Sequence, residues 1–311
     1  LDPTKIEAAI TAKTRAIMPV HLFGQPCDMA PIMELAKNHN LRVIEDSCET
    51  MFVKYHGQTV GSWGDISCFS TYIAHLLITG VGGFATTNDP DLAISIKSLF
   101  NHGRDGIYLH IDDDKGKTDK ELFDIVARRY RFVDVGYSYR ATELEGALGV
   151  GAIERYPAEL ARRQVIARRL TDGLKDLESI LQLPSIRPDT EHAFMMYPIV
   201  VKDPTSPHSS HKASKWHGKG YEGAGDKLSR DDLVNFLESR PRPIETRQML
   251  PLVNQPIYQE LFGTDLETKF PIAKRINDQG FYIGSHPQMT DADVAYIIET
   301  FHTYFKKARA V

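Results

Sequence analysis

Two short apolar runs that flank a helical pattern constrain the fold of this chain more than any other feature. The runs cover residues 15–20 and 41–46, and residues 29–38 between them have apolar side chains at helical spacing. A strand, a helix and a second strand at this spacing form a βαβ unit, in which the strands are parallel and helices cover the sheet. The sequence therefore predicts an α/β fold built on a parallel, covered sheet.

Further elements follow the βαβ unit and indicate a second domain. Strands are predicted over residues 65–71, 83–88 and 192–201, and helices over residues 91–100, 142–177, 230–239, 256–262 and 290–308. Pro157 is expected to break the longest helix, because proline lacks the backbone N–H that the helix ladder needs. The pattern predicts a large domain over residues 1–155 and, over residues 156–311, an interdomain helix with a smaller C-terminal domain.

Two polar segments interrupt this pattern. Residues 202–227 are low in complexity and lack a hydrophobic period, so a flexible insertion is predicted, with a gene-model artefact as the alternative. The histidines of this segment, His208, His211 and His217, have no neighbouring ligands on regular elements. The acidic turn at residues 112–117 lacks the ligand spacing of a calcium loop. No metal site is predicted in either segment.

Composition argues against several classes of partner. Lys and Arg number 37 against 41 Asp and Glu, so the chain has no basic excess for binding nucleic acid. No apolar run approaches the ~20 residues of a membrane span. The three cysteines, Cys27, Cys48 and Cys68, lie in apolar or strand-like surroundings. They are predicted to be free thiols of a cytoplasmic protein rather than a disulfide or a metal site.

Three short segments in the first half of the chain resemble one enzyme family. They are Val43-Ile-Glu-Asp-Ser-Cys-Glu49, Gly64-Asp-Ile-Ser-Cys-Phe-Ser-Thr-Tyr-Ile-Ala-His75 and Gly80-Val-Gly-Gly83. Together they resemble the DegT/DnrJ/EryC1/StrS sugar aminotransferases, which use pyridoxal 5′-phosphate. The resemblance implies a fold-type-I transferase, with an αβα large domain and a smaller C-terminal α/β domain. In that family the position five residues after Ser70 is a lysine that binds the cofactor covalently, whereas this sequence has His75.

The resemblance assigns a role to each of four residues. Asp46, which closes a strand at the ligand-binding edge of the sheet, would hold the pyridine nitrogen protonated and make the ring an electron sink. Glu49 would contact the ring hydroxyl, and Ser70 would bind the cofactor phosphate. His75 cannot form a stable imine, but imidazole can transfer protons near neutral pH. It is therefore predicted to be the catalytic base, with a decayed, inactive site as the alternative.

Other candidate residues concern the subunit interface and the substrate. Gly136-Tyr-Ser-Tyr-Arg140 resembles the family segment that reaches into the active site of a second subunit, which implies a homodimer. Ser138 stands where the family has a phosphate-contacting asparagine, and its shorter side chain puts that contact in question. His102, Arg104 and Arg247 are candidates for the polar groups of a nucleotide-sugar substrate.

His75 also points to one branch of the family. Sugar 3-dehydratases that act on nucleotide-linked 4-keto-6-deoxyhexoses have a histidine at this position, so the chain is predicted to catalyse 3-dehydration with the pyridoxamine form of the cofactor. Glutamate would restore the amine. Two alternatives stay open at this point, namely a sugar aminotransferase with an unusual base and an inactive homologue that serves as a binding subunit.

One expected part of the family's cofactor site has no counterpart in the sequence. In the family, a helix N-terminus that binds the cofactor phosphate and an aromatic side chain that stacks on the ring precede the position of Leu1. Helix N-termini suit phosphate because free N–H groups and the helix dipole converge there. We therefore expect these 311 residues to form the family fold without its N-terminal part and to bind the cofactor weakly.

Overall fold

The computed structural model describes residues 1–105, 115–128, 130–202, 229–249 and 252–309. It divides into two compact units, one of Leu1–Pro157 with Arg187–Ala193 and one of Ala158–Ile186 with Phe194–Val311. The predicted insertion at residues 202–227, apart from its first residue, lies outside the described residues. So does the first half of the acidic turn at residues 112–117.

The first unit is built on a four-stranded sheet. Its elements are strands β1 (Ala16–Ile17), β2 (Arg42–Asp46), β3 (Lys54–Tyr55), β4 (Gln58–Thr59), β5 (Ile66–Ser70) and β6 (Gly83–Thr86), and helices α1 (Met29–Asn38), α2 (Pro90–Phe100) and α3 (Asp119–Arg128). The sheet order is β1-β2-β5-β6. β1, β2 and β5 are parallel, whereas β6 runs antiparallel to β5.

The predicted βαβ unit is confirmed, and its helix has the predicted bounds. α1 buries Met29, Ile32 and Ala36, which share one face at helical spacing, in a cluster with Val43 of β2 and Tyr55 of β3. Helix α2 begins at Pro90, one residue before the predicted start. The carboxylate of Asp89 accepts the N–H groups of the first turn, as an N-cap aspartate does.

The second unit contains an antiparallel sheet packed against helices. Its strands are β7 (Leu181–Gln182), β8 (Met196–Val201), β9 (Thr246–Gln248) and β10 (Gly280–Gly284), in the order β7-β8-β10-β9. Its helices are α5 (Arg230–Glu238), α6 (Pro256–Phe262), α7 (Pro271–Gln279) and α8 (Asp291–Arg309). Alternate residues of β8 are buried, including Tyr197 and Ile199, and they pack in one core with Phe281 and Phe301.

Two predictions about helix and strand limits are wrong. A single helix, α4 (Glu143–Leu174), continues through Pro157 instead of breaking there. Proline removes one ladder hydrogen bond and its ring crowds the carbonyl four residues earlier, at a cost of about 3 kcal/mol. Buried residues on both sides of it, such as Tyr156 and Leu170, offset this cost by packing. The strand predicted from residue 192 begins only at Met196, because Phe194 has a left-handed φ of 46°. In the described parts of both units, no helix is long and apolar enough to cross a membrane.

Candidate active site

The ends of two parallel strands bring Asp46 and Ser70 to one edge of the first sheet. Asp46 ends β2, where its backbone N–H donates to the carbonyl of Pro19 at 2.9 Å and its neighbour across the ladder is Cys68 of β5. Its carboxylate accepts the N–H of Cys48 at 3.1 Å. Ser70 ends β5. Carboxyl ends of parallel strands are where ligands bind in open α/β sheets.

The pKa of Glu49 depends on its burial and on the charges of Asp46 and His75. Its carboxylate accepts the N–H of Phe23 at 2.8 Å. Burial raises the pKa of Glu49 and the charge of Asp46 adds to the increase, whereas the Phe23 N–H and the charge of His75 oppose it. Asp46, Glu49 and His75 therefore belong to one electrostatically coupled site.

His75 is held from one side of its ring. It lies in the turn after β5, and its backbone N–H donates to the carbonyl of Tyr72 at 2.9 Å. Nδ1 lies 2.5 Å from the hydroxyl oxygen of Ser70, and the ring meets that of Tyr72 edge-on at 6.1 Å. Within the described residues, Nε2 has no hydrogen-bond partner. The imidazole is thus oriented through Nδ1, and Nε2 remains available to a ligand.

The loop that carries His75 is closed at its base. The Thr71 N–H donates to the carbonyl of Gly82 at 3.0 Å, and the Thr79 hydroxyl donates to that of Thr71 at 2.6 Å. Gly82 has a φ of 143°, which only glycine adopts readily, and an added Cβ would lie 3.0 Å from the Thr71 hydroxyl. The glycine-rich turn therefore has a structural reason, which is to close the loop tightly.

A buried polar cluster beneath the site was missed by the sequence analysis. Glu45 is fully buried and accepts five hydrogen bonds, from His21 Nε2 (3.1 Å), Gly61 N (2.8 Å), Trp63 N (2.6 Å), Gly64 N (2.7 Å) and Ser67 Oγ (3.0 Å). Burial alone would raise the pKa of Glu45, but these bonds lower it below its ordinary value. The signal in the sequence was a pair of adjacent acids in a predicted strand, because adjacent strand residues point to opposite faces. In the structure Glu45 points inward and Asp46 outward.

The cysteines near the site are free thiols. Cys27 is buried, and Cys48 and Cys68 are half-buried. Burial, with the neighbouring Asp46 adding to it, raises the pKa of Cys48 to about 12, so this side chain is a neutral thiol at physiological pH. Across the part of the chain that the structure describes, no group of His, Cys, Asp and Glu side chains could hold a metal ion.

Other candidate residues form a second cluster in the first unit. The backbone of Ser138 pairs with Asn101, and the guanidinium of Arg140 lies 3.2 Å from Nε2 of His102. The guanidinium of Arg104 lies over the ring of Tyr130 at 5.3 Å. These contacts place His102 beside Arg140 and the backbone of Ser138 beside Asn101.

Arg247 belongs to the second unit. It lies on the edge strand β9, where its guanidinium pairs with Glu245 and donates to the carbonyl of Thr246 at 2.8 Å. Glu245, Thr246 and Arg247 line an open groove of about 690 Å³ together with Glu238 and Gln248. The role of Arg247 in substrate binding stays a prediction.

Comparison with known proteins identifies the family. Residues 1–212 and 202–302 match the DegT/DnrJ/EryC1/StrS aminotransferase family, and the chain belongs to it. GDP-perosamine synthase of Caulobacter vibrioides is 33% identical over 298 residues, which are 96% of this chain and 68% of that protein. dTDP-4-dehydro-2,6-dideoxy-D-glucose 3-dehydratase of Saccharopolyspora spinosa is 30% identical over 318 residues, which are 98% of this chain and 62% of that protein.

A solved structure extends the comparison to the fold. The aminotransferase from Psychrobacter cryohalolentis superposes with a TM-score of 0.80 at 25% identity, over 99% of this chain and 73% of that one. The predicted family, the predicted fold-type-I transferase architecture and the predicted enzyme class are thus confirmed. The relatives named include both a synthase of an aminosugar and a 3-dehydratase, so the family places the chain among sugar-modifying enzymes of these two kinds.

Proposed function

We propose that this chain is a sugar 3-dehydratase that uses pyridoxal or pyridoxamine 5′-phosphate and acts on a nucleotide-linked 4-keto-6-deoxyhexose. The proposal is carried by His75, which the sequence resemblance assigns to the family's lysine position; its Nδ1 lies 2.5 Å from the Ser70 hydroxyl, and among the described residues its Nε2 has no hydrogen-bond partner. A histidine can move a proton but cannot hold the cofactor or the substrate covalently through a stable imine. Relatives of both kinds match, a GDP-perosamine synthase at 33% identity and a 3-dehydratase at 30%, so His75 rather than overall identity carries the proposal.

The donor set at the sheet edge fits the cofactor. Asp46 provides a carboxylate for the pyridine nitrogen, and the raised pKa of Glu49 makes its protonated form easier to reach, in which it can donate to the ring oxygen. Ser70 provides a hydroxyl for the phosphate. The bound cofactor supplies an amine for the substrate ketone and a ring that stores electrons.

The residues of this chain would then divide the work of the reaction. His75 removes a proton through Nε2 and returns it to the hydroxyl that leaves C3, which departs as water. Asp46 keeps the ring nitrogen protonated while electrons are stored. Loss of the C3 oxygen takes up two electrons, which the cofactor amine would supply as its nitrogen leaves as ammonia and hydrolysis releases the deoxygenated ketosugar; glutamate would restore both the amine and the electrons. His102 and Arg104 are proposed to bind the nucleotide-sugar, together with Arg247.

Product analysis tests this function against its alternatives. The chain is incubated with pyridoxamine 5′-phosphate and a GDP- or dTDP-linked 4-keto-6-deoxyhexose, and ammonia and the sugar products are measured. A dehydratase gives a sugar that has lost one oxygen, together with ammonia. A sugar that has gained an amine would establish an aminotransferase instead. Bound cofactor without turnover would indicate a binding subunit.

A histidine variant tests the assigned base. His75→Asn keeps the side-chain volume without a base, so turnover should fall by ~10²–10⁴-fold while cofactor binding persists. His39→Asn is the matched control, because His39 is a surface residue that pairs with Glu7 outside the site. A decrease of only a few-fold for His75→Asn would mean that another group handles the proton.

We further propose that the enzyme is a homodimer of two-domain subunits, with the division at residues 155/156. Apolar side chains around the Gly136–Arg140 segment support a subunit interface, since Tyr139, Leu144 and Leu148 are 73%, 75% and 57% exposed. Two-fold dimers are also the commonest oligomers. Light scattering should give the mass of a dimer, and Leu148→Glu should give that of a monomer. A wild-type monomer that retains activity would refute the interface.

A further inference from the structure

The contact between His75 and Ser70 links the base to the group that binds phosphate. Oγ of Ser70 lies 2.5 Å from Nδ1 of His75, and the N–H of Tyr72 donates to the same oxygen at 3.2 Å. The resemblance assigned Ser70 to the cofactor phosphate alone. Its contact with His75 gives Ser70 a second role, because the direction in which its hydroxyl donates decides which imidazole nitrogen carries the proton.

Counting protons at Ser70 leaves two arrangements. A serine hydroxyl has one proton and two acceptor positions, and Tyr72 occupies one of these positions. In the first arrangement the hydroxyl donates to Nδ1, so the neutral imidazole carries its proton on Nε2 and cannot accept one there. In the second, Nδ1–H donates to Oγ, the hydroxyl proton needs another acceptor, and Nε2 is a free base.

We propose that the phosphate of the bound cofactor selects the second arrangement and so switches His75 into its basic tautomer; this inference rests on the proposed function. Without an anion, donation to Nδ1 satisfies the Ser70 hydroxyl. A phosphate oxygen is a stronger acceptor, since hydrogen bonds to an ionised group are roughly twice as strong as neutral ones. The Ser70 hydroxyl then donates its proton to the phosphate, and Oγ accepts a hydrogen bond from Nδ1–H of His75.

The strand that faces Ser70 places no side chain over its hydroxyl. The register partner of Ser70 on β6 is Gly83, which has no side chain to cover the hydroxyl. An added Cβ at Gly83 would lie 2.5 Å from the carbonyl oxygen of Phe69, so the two strands approach closely there. Ser70 is thus a positioning residue that acts on the reaction through His75.

The tautomer of His75 can be read directly by NMR. The chain is labelled with ¹⁵N-histidine, and the His75 resonances are assigned by their loss in His75→Asn. Spectra are recorded with no ligand, with saturating pyridoxamine 5′-phosphate and with pyridoxamine, which lacks the phosphate. We expect the Nε2–H tautomer without ligand and with pyridoxamine, and the Nδ1–H tautomer with pyridoxamine 5′-phosphate.

Two serine variants separate positioning from phosphate binding. Ser70→Ala should leave the His75 tautomer unchanged when the cofactor binds, whereas Ser70→Thr keeps the hydroxyl and should preserve the switch. Binding is measured in parallel by equilibrium dialysis. Bound cofactor with an unchanged wild-type tautomer, or an Nδ1–H tautomer already present without ligand, overturns this inference and leaves the proposed function standing. No cofactor binding at all would refute both.

Discussion

Replacing Glu45 by glutamine should strongly destabilise the first unit. A carboxylate accepts at both oxygens, whereas glutamine has one accepting oxygen and an amide that donates. If the amide takes the place of Oε2, it faces the N–H groups of His21 and Gly61; in the place of Oε1, it faces those of Trp63 and Gly64. At least two donors that point at this buried position therefore lose their acceptor in either orientation. At ~1–3 kcal/mol for each, the expected loss is about 2–6 kcal/mol.

Urea unfolding followed by tryptophan fluorescence measures this loss. Trp63 donates its backbone N–H to Glu45, and Trp216, the other tryptophan of the sequence, is replaced by phenylalanine in every variant, so that the emission reports the first unit. Glu121→Gln is the matched control. Glu121 is exposed and accepts two bonds from Thr118 at one oxygen, which glutamine can replace, so its effect should stay below ~0.5 kcal/mol.

The pH dependence of the Glu45→Gln effect provides a second check. Hydrogen bonds lower the pKa of Glu45 in the folded chain. Its stabilising contribution is therefore complete above the unfolded pKa of ~4.3 and is lost as the pH falls through the lower folded pKa. The difference between wild type and variant should narrow in acid. A loss under ~1 kcal/mol at neutral pH, or the same loss at neutral and acid pH, would refute the assignment of Glu45 as a buried carboxylate.

Two further predictions concern the site. The pKa of Glu49 is raised in the folded chain, so its contribution to stability is present below the unfolded pKa of ~4.3 and is lost as the pH rises. Glu49→Gln should therefore gain stability relative to wild type between acid and neutral pH in urea titrations; a difference that does not change with pH would contradict the shift. His75→Lys should create a visible absorbance band with pyridoxal 5′-phosphate and a borohydride-stable adduct at residue 75 by mass analysis. If borohydride treatment of the wild-type chain also gave a cofactor adduct on a lysine, the proposed role of His75 would be contradicted.

Local patterns in the sequence predicted the elements that local interactions determine. The limits of α1 follow from apolar side chains at helical spacing, and the start of α2 follows from the Asp89 cap beside it. The short segments around Asp46 and His75 identified the family because their residue types recur at fixed spacing along the chain. Such patterns need no knowledge of which distant residues meet.

Contacts between distant residues could not be predicted in the same way. His21 and Glu45 are 24 residues apart, and neither has a local motif that names the other. The group that holds Glu49 is the backbone N–H of Phe23, which leaves no trace in the residue type. Pro157 was judged by its local cost alone, whereas buried residues on both sides hold α4 together. Tertiary packing decided each of these cases.

The energetic roles of the site residues argue against a decayed enzyme. Glu45 and His21 have a structural role, because Glu45 accepts the backbone N–H groups of Gly61, Trp63 and Gly64 and His21 accepts that of Cys27. Glu49 satisfies only a single backbone group among the described residues. It is half-buried, its pKa is raised, and among the described residues its one hydrogen-bond donor is the Phe23 N–H. A carboxylate in this setting costs stability, which sequences tolerate chiefly at functional sites. A neutral side chain at residue 49 should therefore raise stability at neutral pH, and we infer that the acid at this position serves the proposed site around His75 rather than the fold.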